Sequence, residues 1–266
     1  MFRLSETIKE TTNITYLDKF LCDLKNSRPN SLLHYGLSVY SQNDEDGIIQ
    51  AIFNKIGIQK ITFMEFGVEP CENNTNFLIL KEGRGVWIDK SLTEFKAKIG
   101  PKSKLLILDE FVNKDNVIDQ VKKGLDFLKI DKKGLDFLSM DLDGNDYYYL
   151  KEILSFGLTP SLICLEYNAK FPLPFEIIIE YNENHCWKGD DYFSASLQSY
   201  INLLQDSYSL LCCNSNGINA FFIRTDLAKY FDVLDPEEIY MRPQYFLSSY
   251  YKGHPSSTRF IEDILK

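Results

Sequence analysis

Apolar positions recur along this chain in two rhythms, one helical and one strand-like. In ITYLDKFLCDL (14–24), Leu17, Phe20, Leu21 and Leu24 fall at i, i+3, i+4 and i+7, which predicts an amphipathic helix. NSRPNS breaks it. SQNDEDGIIQAIFNKIG then offers an acidic helix start followed by apolar Ile48, Ile49, Ile52 and Phe53. From residue 60 the pattern alternates. KITFMEFGV (60–68), GVWIDKS (85–91), KLLILDEFV (104–112), LDFLSMDLD (135–143) and PSLICLEYN (160–168) read as strands. Between them lie the helical NNTNFLILKEG, a weakly patterned stretch, DNVIDQVKKGL with Val117, Ile118 and Val121 on one face, and YYYLKEILSFG. An irregular segment (169–190) precedes the helical DYFSASLQSYINLLQDS. YSLLCCNSNGINAFFIR (208–224) reads as two strands joined by an Asn-Ser-Asn-Gly turn.

Five strand–helix units predict an α/β fold, a mostly parallel sheet with helices on both faces, closed by an antiparallel hairpin. LLIL, FLSM and LICL are nearly continuous hydrophobics, as strands buried on both faces require. The heptapeptide KKGLDFL occurs twice, at 122–128 and 132–138. The first copy is expected to finish a helix and its exit loop, the second to enter a buried strand. No ten-residue period continues beyond them, so tertiary context decides each copy's conformation.

The composition narrows the class. The 266 residues are 44% hydrophobic and 25% charged, and the formal net charge is -9. Lys and Arg are nowhere dense, which argues against a nucleic-acid partner. MFRLSETIKETTN lacks the apolar core of a signal peptide, and no apolar run is long enough to span a bilayer. Cys164, Cys212 and Cys213 lie in strand-like runs, and no CxxC pair is present, so reduced core thiols are expected. A cytoplasmic enzyme or binding protein is the expectation.

Ligands of open α/β sheets bind beyond the carboxyl ends of the strands. Each predicted parallel strand delivers a carboxylate there: Glu65, Asp89, Asp109-Glu110, Asp141 with Asp143, and Glu166. Helix capping accounts for one or two; five in five points to a polar site. The first strand-to-helix loop, EFGVEPCENNT, has the single glycine Gly67 and lacks GxGxxG, which argues against a dinucleotide pyrophosphate cradle. Glu65 suits an ammonium-bearing ligand, and Asp89 is placed to accept from ribose hydroxyls.

These features resemble class I S-adenosylmethionine-dependent methyltransferases. SQNDEDGII, FMEFGV…NNTNFLIL, GVWID, LSMDLDGNDYY, LICLEYNA and GINAFFIR, taken as an ordered set over residues 39 to 225, resemble the FkbM-like group, many of whose members are associated with methylation of surface polysaccharides or antibiotic sugars. The resemblance implies a Rossmann-like seven-stranded, mostly parallel sheet with a terminal antiparallel hairpin. It implies that S-adenosylmethionine meets Glu65 and Gly67 at its methionine end, with Asn74 and Thr75 nearby. Asp89 and Lys90 would lie at the ribose, and Glu110 and Phe111 by the adenine. Gln42 and Glu45 would close over the cofactor, although a helix cap is the simpler reading of SQNDEDG from residues alone. Where the family often shows Asp-Gly, this chain has Pro70-Cys71.

At MDLDGNDYY two readings compete. Asp141 and Asp143 share a face if both are in a strand, and Glu166 and Asn168 would stand close by. Asp141, Glu166 and Asn168 could hold Mg²⁺ or Mn²⁺. Alternatively, Asp141 positions cofactor or acceptor while Asp143–Asp146 cap the next helix. For a proton acceptor, His185 comes first, then His254 and Asp141. Asp143, Tyr167, Asn168 and Trp187 are candidate substrate contacts, and Tyr181 and Tyr192 could extend an aromatic wall; for each aromatic, ordinary packing is an equal alternative.

The reading is an O-methyltransferase acting on a sugar hydroxyl, or on a nucleotide-activated or phosphoramidate-bearing precursor of a capsule-type surface glycan. Its rivals are an N-methyltransferase of an amino sugar or small amine, a non-catalytic cofactor-binding partner subunit, and a nucleotide-dependent glycosyltransferase, which the strand-1 loop disfavours. Residues 1–38 read as a helical extension, 39–225 as the cofactor-binding domain, and 226–266 as an extension that packs on the core, covers the acceptor site or meets another subunit, as in a homodimer.

Overall fold

The computed structural model describes residues 2–247 and 254–266. Seven strands form one sheet in the order β3-β2-β1-β4-β5-β7-β6: β1 (Thr62–Phe66), β2 (Arg84–Asp89), β3 (Leu105–Asp109), β4 (Phe137–Met140), β5 (Leu162–Glu166), β6 (Tyr208–Cys213) and β7 (Asn219–Arg224). The first five are parallel, and β7 runs antiparallel between β5 and β6. This is the arrangement the sequence predicts. The chain leaves β1 toward β2 and β3, then returns to place β4 on β1's other side. That reversal is the topological switch point, where a crevice opens at the strands' carboxyl ends.

The helices are α1 (Phe2–Ser27), α2 (Glu45–Ile56), α3 (Asn76–Leu80), α4 (Thr93–Lys96), α5 (Val117–Leu128), α6 (Asp146–Ser155), α7 (Leu197–Leu204), α8 (Pro236–Ile239) and α9 (Arg259–Leu265). The α1 helix begins twelve residues before the predicted stretch, because Phe2, Leu4 and Ile8 are too sparse to mark an apolar face. Its Leu17 and Leu24 are buried, and α2 buries Ile48, Ile49, Ile52 and Phe53 completely. Truncating any of these four to Ala would cost about 2–5 kcal/mol. Among the described residues, no helix is long and apolar enough to cross a membrane.

The two KKGLDFL copies diverge. Residues 122–128 are wholly helical in α5, so the exit loop starts only at Lys129. In the second copy Lys132 and Lys133 form a turn, and Phe137 and Leu138 open β4 between β1 and β5. Asp136 of this copy accepts from the Thr62 amide and hydroxyl, both at 2.8 Å, and so joins the starts of β1 and β4.

The C-terminal stretch packs back on the core, where Ile239, Ile261 and Leu265 are buried. Within LDPEEIYMRPQYFLSSYYKGHPSS, residues 248–253 lie outside the described residues. Cys164, Cys212 and Cys213 are buried free thiols, and Cys22, Cys71 and Cys186 are exposed free thiols.

Candidate active site

A cleft of about 1340 Å³ opens over the carboxyl ends of β1–β5. On the β1–β2–β3 side it is lined by Gln42, Glu65, Gly67, Asn74, Asp89, Lys90, Glu110 and Phe111. Gly67 fixes its floor. Its φ is +79°, and a Cβ there would come within 1.6 Å of the Asp141 carbonyl oxygen. Only glycine lets the β1 loop lie against the β4 end in this way. The Pro70-Cys71 pair sits in a tight turn closed by the Glu72 amide on the Glu69 carbonyl at 3.0 Å, so the departure from the family pattern reshapes the loop beyond Gly67 and leaves the glycine's contact intact.

Asp89 ends β2. Its Oδ1 accepts from the Ser91 amide at 3.0 Å and hydroxyl at 2.7 Å, and its Oδ2 accepts from the Val68 amide at 3.3 Å. A carboxylate has about four lone-pair sites, so capacity remains for ribose hydroxyls. Phe111, 43% exposed, offers an apolar face, with the Lys90 Nζ 5.3 Å from its ring centroid. Glu110 bonds Lys123 at 2.9 Å, which holds its carboxyl below the ordinary value.

Glu65 borders the cleft but is almost fully buried. Its carboxylate accepts from the Thr75 hydroxyl and, at 2.9 Å, from the Asn74 amide. Thr75 in turn accepts from the Trp87 indole at 2.8 Å. Burial pushes the Glu65 carboxyl up to about 7. Glu65 and Thr75 therefore brace the loop beneath the cleft, and Thr75 does not reach it. Asn74 does reach it, with its amide on the Ser139 hydroxyl at 3.1 Å. Asn73 caps α3, its Oδ1 accepting from the Thr75 and Asn76 amides at 3.0 and 2.8 Å.

The SQNDEDG segment is neither a cofactor lid throughout nor a simple helix cap. Gln42 lines the cleft, but Glu45 is fully buried away from it. Its Oε1 accepts from the side-chain amides of Asn43, Asn214 and Asn219 at 3.1, 2.8 and 2.9 Å. Asp46 Oδ2 accepts from the amides of Val39, Tyr40 and Ser41 at 2.7, 2.6 and 2.9 Å. Asp44 accepts from the Ser215 amide at 3.2 Å. The segment thus clamps the approach to α2 onto the β6–β7 turn. That turn is not solvent-exposed: Asn214, Ser215 and Asn216 are fully buried. Burial raises Asp44 to about 7 and Asp46 to about 6.

On the β4–β5 side, β4 ends at Met140, before the aspartates. Asp143 has φ +56° and so leaves strand geometry; the two-apart, same-face reading of Asp141 and Asp143 is corrected accordingly. They still converge. One oxygen each from Asp141, Asp143 and Glu166 lie within 4.8 Å of one another. Burial, then their mutual repulsion, raises Asp141 and Glu166 well above the carboxylate range. The Glu166 Oε2 is buried and accepts no hydrogen bond. Asp146 organises the loop, its carboxylate accepting from the Leu142 and Gly144 amides at 2.8 and 3.0 Å.

The Asn168 Nδ2 donates to the Asp191 and Phe193 carbonyls at 2.9 and 3.2 Å, and its Oδ1 accepts from the Lys170 amide at 3.3 Å. Asp141, Asp143 and Glu166 offer three oxygen donors of the kind that suit a hard divalent ion such as Mg²⁺ or Mn²⁺; Asp141 and Glu166 are shared with the predicted set, and Asn168 lines the same cleft.

His185 lies in the cleft over Gly144, where a Cβ would meet its Cδ2 at 2.5 Å. Its Nε2 is buried and has no hydrogen-bond partner, and it lies close enough to Asp143 to interact electrostatically. Its loop is docked on Asn145, whose Nδ2 donates to the Asn182 carbonyl at 2.9 Å and whose Oδ1 accepts from the Asn182 amide at 3.3 Å. His254 is exposed and apart from the cleft.

Trp187 lines the cleft, with its indole on the Asp190 carbonyl at 2.7 Å. Tyr167 borders the cleft but is fully buried, and it gives its hydroxyl to the Met241 carbonyl at 2.6 Å. Tyr181 and Tyr192 do not line it. Tyr181 packs on Tyr148 and Tyr149, with the Lys114 Nζ 4.0 Å from its ring centroid. The Tyr192 hydroxyl accepts from the Glu180 amide at 3.2 Å. The lining that sequence reading missed includes Glu69, Ser91, Asn145, Lys170, Asn219 and Tyr245. Of these, only Asn145 carried a local signal, its place beside Gly144 before a helix.

No protein-family model matches the chain, and no curated protein does. Among solved structures it is similar to an S-adenosylmethionine-dependent methyltransferase from Clostridium acetobutylicum ATCC 824, at 12% identity and a TM-score of 0.37, over 79% of this chain and 99% of that one.

Proposed function

We propose that this protein is an S-adenosylmethionine-dependent O-methyltransferase whose acceptor is a sugar hydroxyl on a precursor of a capsule-type surface glycan. The observation that supports it best is the joint placement of Gly67, Asp89 and Phe111 at one cleft on this sheet order. Gly67 lets the β1 loop close on the β4 end and floor the cleft, Asp89 keeps free acceptor capacity, and Phe111 presents a half-exposed ring. These are the three features that a methionine tail, a ribose and an adenine need. The acceptor class rests on the sequence resemblance.

S-adenosylmethionine supplies an electrophilic methyl group when bound. The chain's own task is to hold the acceptor and take its proton. His185 Nε2, buried and unpartnered, takes the proton of the acceptor hydroxyl. Asp143 beside it stabilises the imidazolium that results. Asp141 lies between the two halves of the cleft and orients the acceptor. The nucleotide-activated and phosphoramidate-bearing forms fit less well, because ten carboxylates line the cleft against two lysines and one histidine.

The test is transfer of a labelled methyl group from S-adenosylmethionine to sugars and glycan precursors by the purified protein. Label in an O-methyl ether, lost in His185→Ala, supports the reading. Tight cofactor binding with no transfer to any acceptor would favour the non-catalytic partner-subunit role.

A further inference from the structure

The half of the cleft that receives the acceptor is rich in acidic groups, and the one lysine that lines it among the described residues is already engaged. Lys170 is ion-paired with Asp191. Asp141, Asp143 and Glu166 converge within 4.8 Å, and the Glu166 Oε2 is buried with no hydrogen-bond partner. A buried acceptor left without a donor is costly, so this atom calls for a donor from outside the chain. Two aromatic faces border the same space, Trp187 and Tyr245, 49% and 48% exposed.

We propose that the acceptor carries a primary ammonium group, as an amino sugar does, and that this group sits among Asp141, Asp143 and Glu166. The inference rests on the methyltransferase reading and refines its substrate. An ammonium has three N–H donors in a compact head, one for each carboxylate, and charge-assisted bonds of this kind are the strong ones. The ring beside it presents C–H faces to Trp187 and Tyr245. The ammonium is an anchor and not the methylated atom. Held by three carboxylates it keeps its proton, so it has no lone pair with which to attack, and a neighbouring hydroxyl is left facing His185. A divalent ion competes for the same oxygens, and titration in chelator separates the two ligands.

The experiment is a titration of the full chain, saturated with S-adenosylhomocysteine, with three hexosamines (glucosamine, galactosamine, mannosamine), their N-acetyl forms and the parent hexoses, in chelator. At least one hexosamine is expected to bind at least ~10-fold more tightly than both of its neutral counterparts. That preference is expected to fall to within ~2-fold in Glu166→Gln and in the more exposed Asp143→Asn, each still binding S-adenosylhomocysteine. Three results would overturn the proposal: no hexosamine preferred over its neutral counterparts, binding that appears only when Mg²⁺ or Mn²⁺ is added in excess of chelator, or, when the preferred hexosamine is used as acceptor with labelled S-adenosylmethionine, methyl label recovered on nitrogen. Failure of S-adenosylhomocysteine itself to bind would instead strike the underlying methyltransferase reading.

Discussion

Gly67 and Asp141 are in backbone contact across the switch point: a Cβ on Gly67 would sit 1.6 Å from the Asp141 carbonyl oxygen. The contact joins the β1 loop, which faces the proposed cofactor, to the β4 end, which faces the proposed acceptor. Gly67→Ala meets both a left-handed backbone, itself worth of order 1–3 kcal/mol, and an oxygen that cannot move without shifting β4. The variant is expected to lose ~5 °C or more in Tm and to bind S-adenosylhomocysteine at least ~10-fold more weakly, read by thermal melting and calorimetry.

His185 occupies space that Gly144 vacates, since a Cβ would lie 2.5 Å from its Cδ2. Gly144→Ala is expected to displace the imidazole and reduce kcat by ~10²-fold, the scale of general-base loss, with cofactor affinity changed less than ~2-fold. His185→Ala should match it. Steady-state kinetics beside calorimetry separates the two effects, and the double variant should be no worse than either single one.

The Glu45 clamp predicts a variant damaged in stability first. Glu45→Ala strands the side-chain amides of Asn43, Asn214 and Asn219 in a buried site. Each unsatisfied buried group costs about 1–3 kcal/mol, so a fall in Tm of more than ~5 °C is expected. Gln42→Ala, three residues away in the cleft, should leave Tm within ~2 °C and weaken cofactor binding only.

The same clamp sets a pH dependence. Burial raises Asp44 to about 7 from 3.8, with Glu45 repulsion adding to it. The folded state therefore holds a proton that the unfolded chain releases as pH rises through about 4. The stabilisation from that proton is fully present below the unfolded value and is lost progressively up to about pH 7. Asp46 and Glu65, raised to about 6 and about 7, act in the same direction. Melting curves between pH 5 and 8 are expected to show Tm falling with pH, with a shallower slope in Asp44→Asn.

The strands were legible because the apolar runs LLIL, FLSM and LICL alternate with helical segments, and the carboxylates at their ends marked the cleft's edge. What was not legible depended on partners far away in sequence. Glu45 looks like a helix start until Asn214 and Asn219 are folded against it. Asn168 gives no hint in sequence that the carbonyls of Asp191 and Phe193 hold its Nδ2. Asp143 looks like a strand residue until the Asp146 carboxylate takes the Leu142 and Gly144 amides and turns the loop. Tyr181 and Tyr192 look like cleft wall until Tyr181 packs on Tyr148 and Tyr149 and Tyr192 packs behind His185. The pattern of one chain segment does not contain these choices.

The most direct test of the central claim is calorimetric titration of the purified protein with S-adenosylhomocysteine, beside Asp89→Ala. The account predicts micromolar binding to the folded wild-type chain and at least ~10-fold weaker binding to the variant. An absence of binding by wild-type protein with a cooperative melt, or equal affinity in Asp89→Ala, would contradict it.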